Sequence, residues 1–318
     1  MLRYIAARLG QTVLIVLAVS VIVFVMTRLL PGGSAEAILG NRASPAAIAA
    51  FNRAHGLNLP IPLQYGRYLL ALLHGDFGYS YKLGQPVATL IATRMPKTIF
   101  LSGVSLAIAV VISIPLGIFQ AIRQSKPIDT LLTAGEFVVY SMPAFWLAII
   151  LILVFAVHLS LLPSEAPQSD SLAQILADPR ALVLPIVVTT IGTVAALSRY
   201  MRSSAIENLA KEYVRTARAK GLLEWTVLFR HMARNAVIPL VTLVGLSVPA
   251  LVSGSVIVET IFNFPGIGLL YDTAASDRDY PVLLAIVLVA SVATALGSLL
   301  ADVMYVVVNP QVRYGTKE

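Results

Sequence analysis

The sequence predicts an all-α, polytopic membrane protein of six transmembrane helices, with an extracytoplasmic region between the first two. Three observations carry this. Hydrophobic residues make up 58% of the 318 and charged ones 12%, at a mean hydropathy of +0.83, whereas a soluble domain carries roughly 25% charged residues. Six apolar runs each reach the length, about 20 residues, that crosses a bilayer. With six crossings, every short segment on the side of the termini is basic, while the short outer loops hold only Arg180 and Arg278; this bias marks the cytoplasmic side. The absence of cysteine excludes thiol catalysis, disulfides and thiolate-held metals, and four scattered histidines argue against any metal site. A net charge of +7 with no basic soluble domain points to membrane orientation and not to nucleic acid.

Residues 1–30 form the N-terminus and first span. Positions 9–30 are apolar apart from Gln11, Thr12 and Arg28, and the preceding Arg3 and Arg8 place the N-terminus inside. A cleaved signal peptide competes, because Ala35-Glu36-Ala37 resembles a small-residue cleavage site, but the apolar run is too long for one. Residues 31–97 form the extracytoplasmic region, with turns at Pro31-Gly32-Gly33, Ser44-Pro45, Pro60-Ile61-Pro62 and Gly75-Asp76. Ser44-Pro45 before an alanine-rich run reads as a capped helix start. The six basic residues of this region do not break the orientation rule, since long loops are translocated largely regardless of charge.

The membrane core covers 98–308. Its second span, 99–121, ends at the basic turn Arg123-Gln124-Ser125-Lys126-Pro127. The third lies within 128–159 and contains Glu136 and Pro143; the fourth, 182–200, is entered through Pro185. The fifth, 237–262, has Pro239 near its start and Pro249 in its middle, and is followed by an outer turn headed by FNFPGIG. The sixth is 281–308, before a cytoplasmic tail, 309–318, with Arg313 and Lys317.

Charge concentrates between the fourth and fifth spans, in 203–236. Lys211, Arg215, Arg218, Lys220, Arg230 and Arg234 stand there against Glu212 and Glu224. On a helix, Tyr213, Ala217 and Gly221 share a face, and the two small residues would let a partner's backbone approach. Arg215, Arg218 and Lys220 flank that face and suit acidic groups or phosphates. An amphipathic helix held by anionic lipid headgroups fits the same pattern, so pattern alone leaves both readings open. The chain carries no motor: a phosphate-binding loop ends in Gly-Lys-Ser/Thr, and no Gly-Lys pair occurs.

The stretch Arg215-Thr216-Ala217, Arg218-Ala219-Lys220, Gly221 resembles the EAA loop of permease subunits of ATP-binding-cassette importers, in which Glu-Ala-Ala, three residues and Gly recur. The glycine and third-position alanine match; Arg215 replaces the leading glutamate, and Arg234 stands where a proline is expected, the nearest being Pro239. RTARAKG is similar to the variant of the peptide and nickel branch. So are LRYIAARLGQ with LLPGG, GLNLPIPLQYGRYLLALLHGDFGYSYKLGQPV, MPAFWLAIILILVFAV, VETIFNFPGIG and RDYPV, in order along almost the whole chain, although NPQVRY departs from the expected Asp-Pro-Arg ending.

The resemblance is to the dipeptide/oligopeptide permease group, B-type subunit, with a type I importer fold. It implies a non-catalytic subunit in a bacterial cytoplasmic membrane that passes di- and oligopeptides by alternating access. The chain itself would hold no cofactor. ATP and magnesium would sit in two partner ATPases, beside a second homologous permease and an extracytoplasmic binding protein. The coupling residues would be Glu212, Tyr213, Arg215, Thr216, Ala217, Arg218, Lys220 and Gly221. The same build serves nickel chelates, glutathione or haem as alternative cargo. An ion-coupled transporter working alone would show inverted repeats and mid-membrane charge pairs, and neither is visible.

Polar groups within spans are costly unless they face protein or water. Glu259 and Asp302 lie near span ends, where snorkelling or helix capping accounts for them, and His158 suits an interface. Glu136 is deeper and fits a pathway or an inter-helix contact. Pro249 with Gly245, Ser253 and Gly254 would loosen the fifth helix near a passage, although packing of small residues between helices explains the set equally. The expected pathway set is Glu136, Pro249, Ser253 and Glu259.

Overall fold

Helix dominates because it satisfies every backbone group within its own segment, as so apolar a chain requires inside lipid. The computed structural model describes residues 2–29, 35, 39–40, 43–54, 56–80 and 82–308. The turn at Pro31-Gly32-Gly33, the dipeptide Glu36-Ala37 and the tail 309–318 lie outside the described residues. The helices are α1 (Leu2–Leu29), α2 (Pro45–Ala54), α3 (Ile61–Leu73), α4 (Val87–Ile122), α5 (Pro127–Ser141) and α6 (Ala144–Leu151). A π-helical stretch, Ile152–His158, continues α6. There follow α7 (Leu172–Leu176), α8 (Pro179–Leu209), α9 (Glu212–Ala219), α10 (Glu224–Ala236) and α11 (Ile238–Leu246). The chain closes with α12 (Val248–Ser253), α13 (Val256–Ile261), α14 (Ile267–Asp277) and α15 (Tyr280–Val308). Two short antiparallel strands, β1 (Tyr79–Ser80) and β2 (Gln85–Pro86), pair Tyr79 with Pro86 ahead of α4.

Among the described residues, α1, α4, α8 and α15 are each long and apolar enough to cross a membrane. Two bent pairs bring the number to six, as the sequence predicts. The first bend, 101° between Pro127–Ser141 and Ala144–His158, breaks the third span. Its cause is Pro143: the residue before a proline is driven out of the helical region, and Met142 is extended, at ψ 126°. The second pair, Glu224–Ala236 and Ile238–Ser253, is bent by 43°. The fifth span then stops at Gly254, so that 256–262, expected within it, forms the separate helix α13, with the Ser255 side chain accepting from Val258 N–H (3.4 Å).

The second span also differs from expectation. α4 starts at Val87, twelve residues before 99, and at 1.5 Å per residue its 36 residues reach about 54 Å. Its first turns bury Val87, Leu90 and Ile91 against Ile267, Leu270, Val282 and Ile286 of α14 and α15. Lys97 is fully buried on α4, and its Nζ donates to Ser169 O (2.6 Å), fastening the helix to the loop ahead of α7.

The centre is the α4–α8 pair. Gly117 permits their close crossing: a Cβ there would lie 2.6 Å from Met201 Cβ and 2.7 Å from Ser198 O, the small-residue contact by which membrane helices approach. Below the crossing, Ile118 and Ala121 of α4 join Met201 and Ala205 of α8 in a cluster that also takes in α9 and α10.

Candidate functional site

The charged stretch between the fourth and fifth spans folds as a short helix seated on that cluster. α9 forms because its pattern suits the place. Val214 and Ala217, three apart, are buried among Met201, Ala205, Val227, Met232 and Ala236. Glu212 opens the first turn and Arg218 closes the last, in the senses that complement the helix dipole. Tyr213 is half-buried and its hydroxyl donates to Asn208 Oδ1 (2.8 Å), tying the helix to the end of α8. Thr216 Oγ1 donates to the Glu212 carbonyl (2.9 Å).

The outward ridge carries Glu212, Arg215, Thr216, Arg218 and Lys220, all exposed. Arg215 Nη1 donates to Glu212 Oε1 (2.9 Å), and Arg218 meets Glu224 through two bonds, 2.6 and 3.2 Å. The hydrogen bond to Glu224 raises the Arg218 guanidinium above its ordinary value, so it stays charged throughout. Exposed pairs such as these are worth about 0–1 kcal/mol. They orient the ridge more than they stabilise it.

Gly221 does not share a helix face with Tyr213 and Ala217. It lies beyond the helix end at φ +75°. Its N–H donates to Arg218 O (2.9 Å) and Leu222 N–H to Ala217 O (3.4 Å), the paired bonds of a Schellman stop. The face holding Ala217 points into the chain's own core, where Val214 and Ala217 are buried and Tyr213 packs against the same cluster. The ridge is therefore what a partner can reach.

Next to it stands a feature that sequence reasoning missed. Leu223 is 78% exposed and Trp225 70%, with Leu222 and Phe229 beside them, and the Trp225 and Phe229 rings lie 3.9 Å apart. The signal was present: four large apolar residues sit among charges between Lys220 and Arg230. A second missed contact is Asp129, which holds Arg202 in two bonds of 2.7 Å and accepts Ser125 N–H (3.1 Å). This joins α5 to α8 beside the cluster that seats α9.

The structure sets the four expected pathway residues in three separate places. Glu136 is buried on α5, and neither carboxylate oxygen has a hydrogen-bond partner among the described residues. Pro249 and Ser253 lie on α12, where Ser253 Oγ donates to Pro249 O (3.1 Å) and Pro249 packs closely against Gly297 of α15. Glu259, fully buried on α13, accepts from Gly268 N–H (2.7 Å), Leu269 N–H (3.3 Å) and Thr98 Oγ1 (3.2 Å), while Thr98 Oγ1 accepts Ile267 N–H (2.7 Å). It thus caps the N-terminus of α14 and ties it to α4.

Residues 113–314 match the family described as "Binding-protein-dependent transport system inner membrane component", and residues 1–102 match the N-terminal region of the same membrane component. The chain belongs to this family. A binding-protein-dependent membrane component is a permease part of an ATP-binding-cassette transporter and not an enzyme, and it works with ATPase and substrate-binding partners. The chain is 37% identical, over 316 residues, to the oligopeptide transport system permease protein AppB of Bacillus subtilis (strain 168), covering 99% of this chain and 100% of that one. It is also 37% identical, over 314 residues, to the glutathione transport system permease protein GsiC of Salmonella paratyphi A, with 99% and 100% covered. Since the match runs the length of these permeases, α9 and its ridge belong to the permease body and not to an appended domain.

Proposed function

We propose that the chain is the permease subunit through which a peptide importer passes its cargo inward, and that segment 203–236 is the handle gripped by a separate ATPase. Both termini and this segment face the cytoplasm, and a second homologous permease completes the passage. Two ATPases hold ATP and magnesium. Region 31–97 faces outward, where it helps seat the binding protein or gates the outer mouth. The observation that supports the handle most is the double attachment of α9. Its ridge is free, while Val214 and Ala217 share one core with α4, α8 and α10. A displacement of the ridge therefore moves the ends of three membrane-connected helices together. Closure of the ATPases on ATP supplies the bias between inward and outward states, which cargo binding both states equally could not supply.

The chain has no cysteine, so single cysteines report cleanly. Ala219→Cys, on the exposed end of α9, should cross-link to a cysteine placed in the ATPase of the assembled transporter, with a yield that changes on ATP binding. A complex that takes up peptide normally yet gives no such product at any position of the ridge would overturn the handle. Peptide as cargo is tested on the binding protein, by calorimetry with di- and oligopeptides against glutathione; tight binding of glutathione alone would move the assignment to that cargo.

A further inference from the structure

The cleft between α9 and α10 carries positive charge that lies off the ridge of α9. It is lined by Tyr213 on one side and by Arg230, His231, Arg234, Asn235 and Ile238 on the other, and encloses about 650 Å³. Arg230 and Arg234 are four apart on one helical face, both exposed, and no acidic group among the described residues pairs with either. This contrasts with the ridge, where Arg215 and Arg218 each have a glutamate. Part of the wall is π-helical, Val227–Met232, a winding that is rare and frequent at functional sites. The tyrosine wall is fixed by its bond to Asn208. The cleft therefore does not depend on a partner for its shape.

Its position says what enters it. Ile238, on its lining, is the first residue of α11, and the sequence sets the start of the fifth apolar run at 237, so on that reading the cleft opens where the chain passes from the loop into hydrocarbon. Basic clefts at that level meet lipid phosphates, and the negative surface potential of the inner leaflet draws them there. We propose that the cleft binds the phosphate headgroup of an anionic phospholipid of the inner leaflet, with Arg230 and Arg234 on the phosphate and Asn235 as an additional donor. The lipid would brace α10 against α9 and so stiffen the joint between handle and span. This rests on the reading of 203–236 as cytoplasmic.

The test uses the full-length chain in nanodiscs of phosphatidylcholine doped with phosphatidylglycerol, with retained lipid counted by native mass spectrometry after transfer to detergent. The wild type should retain phosphatidylglycerol in preference to phosphatidylcholine. The preference should fall roughly fivefold for each of Arg230→Gln and Arg234→Gln, the size expected for one basic group at an anionic surface, and should not change for Arg215→Gln. A photo-reactive residue replacing Asn235 in the whole transporter should label lipid. Unchanged preference in the double variant, or labelling of the ATPase or the second permease instead, would overturn the lipid site. Failure of the Ala219 cross-link with the lipid preference intact would overturn the handle and leave the cleft standing.

Discussion

Replacing Glu259 separates a helix-capping role from a pathway role. Its carboxylate is fully buried and receives two backbone amides and one hydroxyl. Glu259→Ala removes the acceptor from all three. A buried donor left without a partner costs about 1–3 kcal/mol; the Gly268 bond is short, and the other two are long and count for less. The sum is about 2–5 kcal/mol. Glu259→Gln keeps one carbonyl oxygen for the amides, and its amide group can donate to Thr98, so the loss should be about 1 kcal/mol. The assay is the thermal midpoint of the purified chain in detergent, read beside peptide uptake by the assembled transporter in proteoliposomes. The expected outcome is a large drop in midpoint and lost uptake for Ala, and a small drop with near-normal uptake for Gln. If Gln abolishes uptake while both variants hold the wild-type midpoint, the charge serves transport and the capping account fails.

Asp129→Asn should destabilise the chain by about 3 kcal/mol, the lower end for a broken buried pair, because the Arg202 side chain keeps 26% of its surface exposed; Asp129→Leu with Arg202→Met should lose less than either single change, as midpoints would report. Gly221→Ala meets open space but must hold φ +75°, and the left-handed strain of about 1–2 kcal/mol should loosen the end of α9, visible as faster proteolysis after Arg218 or Lys220, with Gly221→Asn in between. Trp225→Ala should weaken ATPase association more than Arg215→Ala, because aromatic anchors dominate interfaces and exposed ion pairs contribute little; titration of the ATPase onto the reconstituted permease measures both.

The six crossings were legible because bilayer length and charge bias act on stretches that are continuous in sequence. What escaped were interactions between distant stretches. The early start of α4 is masked by Arg94, Pro96 and Lys97, which read as loop until Lys97 is seen buried against Ser169 O. Pro143 was visible, but a 101° bend was not, since proline fixes only the residue before it and the angle depends on what each half packs against. Glu259 read as a span-end carboxylate; its partner Thr98 lies 161 positions away, and no local pattern connects them. Charge and resemblance point to 203–236 as the proposed handle, yet the face they group on α9 is a misassignment. Helical spacing groups Tyr213, Ala217 and Gly221 only if the helix continues, and it stops at Lys220.

That misassignment changes how force enters the membrane helices. Were Ala217 the contact for a partner, the grip would lie within the packed face, and α9 would have to leave its core to be engaged. With Val214 and Ala217 already buried, the accessible side of α9 is the opposite one, and on the proposed handle engagement there would leave the core closed. A close-packed interior transmits displacement without yielding much. Between α10 and α11 the chain bends by 43°, and this joint links the core that seats α9 to the rest of the fifth crossing. The basic cleft lies across that joint, from Tyr213 to Ile238. On the proposed reading, whatever fills it would set how much of the motion of the handle reaches the fifth helix.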